Sequence, residues 1–220
     1  MAQPGDVLRH PAFGAVIRFL QTSEETGGEL LRVEVTLPPQ FSMPEHVHPR
    51  QEERHEVVSG TLQARVGGVE HDYAPGERVI GPPNVPHAWR NPSEQEDLRL
   101  VSEHRPVLHM EMMLENGFSI GRDLWADKRH ALGHLLRAAI LMDEVKEDFY
   151  FTGFSTRTLM AFFVALAPVG RLFGYRSDQT AERRAYGSRG SAGAWVAGFA
   201  AAALAAVAVR QIWWRYSRSS

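Results

Sequence analysis

Cysteine is absent from the 220-residue chain, which excludes disulfides, thiolate metal sites and a cysteine nucleophile. Any metal must therefore be held by nitrogen and oxygen. A strong charge of either sign is missing too: the formal net charge is -2, which argues against a nucleic-acid partner held by charge. Met1 to His10 lacks the long apolar stretch of a secretory signal, so the N-terminus is expected to stay in the cytoplasm. No phosphate-binding glycine loop, nucleophile elbow or internal repeat is found. Apolar material is ample, at 44% of the residues, enough to bury a core.

From Pro11 to about Glu115 the pattern is one of short strands and tight turns. Leu31, Val33, Val35 and Leu37 alternate with Arg32, Glu34 and Thr36, as in a strand with one buried face. Gly67-Gly68 between Leu62–Val66 and Val69–Tyr73 is a two-residue hairpin signal. Ala74-Pro75-Gly76-Glu77 and Gly81-Pro82-Pro83-Asn84 read as further turns. Leu98 to Glu103 and Val107 to Leu114 complete the strands, and the whole favours a sandwich or barrel.

Histidines are concentrated in this region. His46 and His48, two apart on a strand, point to one face and bring two imidazoles together; the same alternation puts Glu53, His55 and Val57 on one side of the next run. The order is His46, Val47, His48, four residues, Glu53, six residues, Gly60, and then Gly76, five residues, Pro82, four residues, His87, three residues, Asn91. This two-part signature resembles that of the cupin superfamily. The resemblance implies an antiparallel jelly-roll β-barrel in which His46, His48, Glu53 and His87 ligate one divalent metal ion. One position departs from the pattern: Asn84 stands where the family usually has glycine. Asparagine is the residue other than glycine that best tolerates a left-handed backbone, so the turn should survive. Three neutral imidazoles and a carboxylate suit Fe, Mn, Ni, Cu, Zn or Co without distinguishing them, and such a set can leave positions open for water or substrate. Single histidines here would read as ordinary strand or surface residues; four in this order, with the flanking glycines and Asn91, favour a metal.

His55 falls two residues beyond Glu53, on the inward face, where cupins often carry an aromatic. It is the candidate catalytic residue, as a proton carrier or as a group supporting the ligands, against the alternative of a satisfied core histidine. Either Glu103 or His104 must face inward, and the register leaves open which. Trp89 shares the face of His87 and reads first as core packing. His130 and His134 are four apart, yet Ala131 stands where a zincin helix has its glutamate, so a solvated helix face is the plainer reading.

After Asn116 the composition turns helical. Leu124, Leu132, Leu135, Leu136, Ala139 and Met142 recur at three- and four-residue steps, and Ser155 is placed to cap a second helix that Pro168 and Gly170 would disturb and Gly174 would end. The predicted organisation is a barrel at 1–115, a helical extension at 116–176, a polar linker at 177–191 and a transmembrane helix at 192–214. The last rests on the uncharged run Ala192 to Val209, with Trp195 near one end and Trp213, Trp214 and Tyr216 at the other, against the alternative of an Ala-rich helix packed on the protein. The fold class expected is thus mainly β with an α-helical C-terminal region and a membrane span, giving a single-pass membrane anchor with the barrel cytoplasmic. Arginines flank the span on both sides and leave its orientation open.

Two functions follow from the site. One is a metal-dependent oxygenase acting on a small organic molecule, with His55 moving a proton. The other is a small-ligand binding or sensing module whose metal is structural. The partners expected are a small molecule and, through the C-terminal helix, a membrane; no nucleic acid is expected, and a homodimer is left open.

Overall fold

The computed structural model describes residues 2–177. In chain order the strands and the first short helix are β1 Val7–Arg9, β2 Val16–Gln21, α1 Ser23–Thr26, β3 Leu31–Leu37, β4 Ser42–Val47, β5 Glu52–Ser59, β6 Leu62–Val66, β7 Val69–Tyr73, β8 Arg78–Gly81, β9 His87–Arg90 and β10 Leu98–Arg105. The helical region holds α2 Met110–Ala126, a single 3-10 turn at Lys128–His130, α3 Ala131–Val145, a two-residue strand β11 Tyr150–Phe151 and α4 Phe154–Leu172.

Two antiparallel sheets form the barrel, one in the order β1-β2-β3-β10-β5-β8 and the other β11-β4-β9-β6-β7. Alternation builds the core as β3 predicts: Leu31, Val33, Val35 and Leu37 are buried, and Arg32 between them is exposed. Phe19, Val57, Leu62, Leu98 and Leu100 join them at 1% exposure or less. The Gly67-Gly68 turn closes the β6–β7 hairpin between Val66 and Val69, with φ of 57° and 85°; two positive angles in succession are what a type I′ turn needs. Asn91, fully buried, donates from Nδ2 to the carbonyls of Leu37, Pro38 and Glu96, pinning the loop after β9.

The helices depart from the sequence expectations at several points. Val107 to Leu114 is not a strand: after Pro106 the chain enters α2 at Met110, whose Met110, Met113, Leu114 and Phe118, at three- and four-residue steps, pack on the barrel core. The single amphipathic helix expected from Leu124 to Met142 is broken at Asp127, whose carboxylate caps the 3-10 turn by accepting from Arg129 N–H. Ile120 of α2 meets Leu141 and Val145 of α3 in a second apolar cluster. Gly153, not Ser155, is the N-cap of α4, which continues through Pro168 and Gly170; Gly174, at φ 79°, ends it as expected.

The membrane-spanning helix of the expected fold class is corrected. Among the described residues no helix is long and apolar enough to cross a membrane. The architecture is a mainly β barrel followed by a helical region, and the single-pass anchor and membrane localisation drawn from the sequence are withdrawn with the span. The segment on which they rested, 192–214, lies outside the described residues, as does most of the linker 177–191.

Leu100, with no exposed surface, lies between the strands of β3 and β5. Leu100→Ala should cost about 2–5 kcal/mol, the range for emptying a packed leucine site, read as a lower denaturant midpoint. Val69→Thr, at a residue 73% exposed, should shift it by less than about 0.5 kcal/mol.

Candidate metal centre

His46, His48, Glu53 and His87 are each buried, and one ligand atom from each lies within 4.8 Å of all the others. Among the described residues this is the one group of three or more candidate ligands that converges in this way. The sequence motif and the space thus agree. Topology explains how: β4 and β9 are neighbours, and an extra residue in β4 between Met43 and His46 shifts the register so that His46 faces His87. Glu53 comes from β5 in the opposite sheet, and His48 from the connection that carries the chain between the sheets.

Backbone carbonyls fix the rings. His46 Nδ1 is 2.8 Å from Pro44 O, His87 Nδ1 2.8 Å from Val85 O, and His48 Nδ1 3.1 Å from Asp148 O. A carbonyl can only accept, so each Nδ1 carries the hydrogen and each Nε2 is turned to the centre with its lone pair. The three Nε2 atoms stand 3.4 Å (His46), 3.8 Å (His48) and 3.0 Å (His87) from one oxygen of Glu53.

Burial of this kind forces the charges to interact. Burial pulls the His48 pKa down to about 4, with the neighbouring His46 and His87 adding to the effect against the attraction of Glu53. His87 moves the other way: burial opposes its charge, but the hydrogen bond and charge of Glu53 hold its pKa above the ordinary value. It has acceptors at both ring nitrogens and is the ring best placed to take a proton when the centre lacks a cation. Burial favours the neutral form of Glu53, yet His55, His46 and His87 together keep it ionised, well below the usual carboxylate range.

Close packing supports the ligands. Gly81, opposite Glu53 on β8, lies under the His87 ring; a Cβ there would come to 3.0 Å from ring atoms. Asn84 adopts φ 62°, the left-handed turn expected at this departure from the glycine pattern, and its N–H donates to His48 O. His55 faces inward, with Nδ1 2.8 Å from Ser102 Oγ and Nε2 3.3 Å from Glu53 Oε1, the latter outside hydrogen-bond geometry. Trp89 packs edge-on against His55 with ring centroids 5.2 Å apart and on the barrel core, as the core-packing reading holds. A cavity of about 10 Å³, room for one water, is lined by Glu53, His55, His87, Trp89 and the apolar wall around Val79.

Two features escaped the sequence reading. His104 is the inward residue of its pair, directly across from Glu53, with its ring centroid 6.4 Å from that of His48 and its Nδ1 buried without a hydrogen-bond partner. Register alone decides between Glu103 and His104, and only strand pairing supplies it. The second is the stretch from Asp148 to Thr152, which leaves the helical region to lie on β4, pairing Tyr150 with Val47 and Phe151 with His46. His130 and His134 form no such group: His130 Nδ1 pairs with Asp127 at 2.5 Å.

A family model described as Cupin domain matches residues 33–102, the segment holding all four clustered residues, which supports the cupin superfamily for this part of the chain. Similar solved structures include KdgF from Halomonas sp. (18% identity, TM-score 0.38, 42% of this chain and 79% of that one). Others are a predicted oxalate decarboxylase from Thermotoga maritima (18%, TM-score 0.40, 42% and 80%) and an RmlC-like cupin from Shewanella frigidimarina NCIMB 400 (22%, TM-score 0.39, 45% and 82%). No curated protein matches the chain.

Burial pushes His104 down to about 3 from the ordinary 6.5. Between those values the unfolded chain binds a proton that the folded chain refuses, so stability falls as pH falls through the window. In metal-free protein, lowering pH from 7 to 5 should therefore cost the wild type more stability than His104→Leu, measured by urea midpoints. Equal losses would remove His104 as the cause.

Proposed function

We propose that His46, His48, Glu53 and His87 hold one divalent metal ion and that the chain is a metal-dependent enzyme, an oxygenase, acting on a small organic molecule. One observation carries the metal reading: three Nε2 lone pairs, fixed by carbonyl partners, face a buried carboxylate, an arrangement that a cation relieves. The donor set fits iron, manganese, nickel, copper, zinc or cobalt. When bound, the ion would supply Lewis acidity or a redox centre. Glu53 presents one oxygen to the imidazoles and the other toward His55. His55, between Ser102 Oγ and that second oxygen, is the group to hold or move a proton at Glu53. The water-sized cavity bordering Glu53 and His87 supports an open coordination position on that side.

The enclosure of the centre favours a second reading, a non-catalytic small-ligand binding or sensing module with a structural metal. Coordination number separates the two, since structural sites close at four protein ligands. The cobalt-loaded protein should show a five- or six-coordinate spectrum; a tetrahedral one puts the second reading first.

Metal content tests the assignment directly. Protein purified without added metal should carry about one ion per chain, and His46→Ala with His48→Ala should carry none while remaining folded. A double variant that keeps its metal sinks the proposal. His55→Phe should keep the ion and lose turnover, which separates a proton carrier from a ligand. Gly81→Ala, by pushing the His87 ring, should weaken metal affinity by about 10- to 100-fold, the scale for disturbing a group that orients a ligand.

A further inference from the structure

We infer that the helical region completes the centre, and that Phe149 sets the size of the ligand that can reach the metal; this rests on the metal reading above. The Phe149 ring is buried, with its centroid 5.1 Å from that of His46 and 5.4 Å from that of His48. It covers the two rings that the β4 side contributes. On the side of Glu53 and His87 lies the water-sized cavity already described. A ligand bigger than water that approaches over His46 and His48 therefore meets an aromatic plate, which has no lone pair to offer the ion and no hydrogen bond to offer the ligand.

The plate is held at both ends. On one side Asp148 accepts from His48 Nδ1 through its carbonyl, while its carboxylate sits between Arg50, at 2.5 Å, and His109, at 2.5 Å. On the other, Phe151 packs edge-on against Phe149 at 4.8 Å, β11 pairs with β4, and Thr152 N–H donates to Glu45 O at 3.1 Å. Thr152 Oγ1 also donates to the Glu45 carboxylate at 2.5 Å. These bonds anchor the segment to the same strand that carries His46, so the plate keeps a fixed distance from the ligands and acts as a size filter.

The test uses full-length protein loaded with cobalt, with azide as the small probe and benzoate as the bulky one, each titrated by the cobalt absorption spectrum. Wild type should bind azide and exclude benzoate. Phe149→Leu and Phe149→Ala should keep their cobalt and bind azide within a few-fold of wild type, while benzoate affinity rises in that order by about tenfold or more, the scale of discrimination one pocket contact gives. An unchanged azide-to-benzoate ratio in variants that hold cobalt overturns the filter. Loss of cobalt in Phe149→Leu overturns it as well, since Phe149 would then serve to pack the ligands. Should the alanine variant fail to fold, the leucine variant decides alone. Wild type that takes up no cobalt overturns the metal reading instead, and the filter with it.

Discussion

Three imidazole lone pairs and a carboxylate aimed at one buried point repel one another unless positive charge lies between them. That constraint organises the molecule. Without a cation a proton would meet it in part, and His87, with an acceptor at each ring nitrogen, is the ring best placed to take one. Burial opposes charge on His48 and on His104, so the centre tolerates only a little protonation. A divalent ion satisfies all four groups at once, whereas a proton satisfies one pair.

Holding such a set in place needs parts from the whole barrel. β4 and β9 supply two rings from one sheet, β5 supplies the carboxylate from the other, and the link from β4 to β5 supplies His48. Carbonyls of Pro44 and Val85 orient two of the rings from within the barrel, two residues before each histidine. The third orienting carbonyl comes from Asp148, a hundred residues downstream of His48. The helical region is thus tied to the chemistry of the centre as well as to the core that α2 covers.

The clustered residues were legible because a period of two, a fixed spacing and a few turn residues are local properties. They carry the resemblance to the cupin signature through which His46, His48, Glu53 and His87 were named, and they mark the hairpin at Gly67-Gly68 and the turn at Asn84 directly. What depends on pairing between distant strands was not legible: whether Glu103 or His104 faces inward follows from the register of β10 on β5. The two-residue strand at Tyr150–Phe151 has no periodicity to detect, and Val107 to Leu114 reads equally well as strand or helix over so short a run. There the packing of Met110, Leu114 and Phe118 on the barrel decides for a helix. The helical composition after Asn116 was clear, but its break at Asp127 depends on a side-chain cap that the apolar period does not register.

Pairing of β11 with β4 also bears on how the barrel behaves as a separable unit. β4 has β9 on one side and β11 on the other, so the hydrogen-bonding groups of Val47 and His46 on the outer side are satisfied by a segment beyond the barrel. A fragment cut after residue 115 would leave that edge bare beside the apolar surface from which α2 had been trimmed. Bare edges pair with whatever strand is at hand, and identical copies are the nearest. The helical region therefore guards the finished barrel against self-association, whereas during synthesis the β4 edge stays open until Tyr150 and Phe151 have emerged to pair with it.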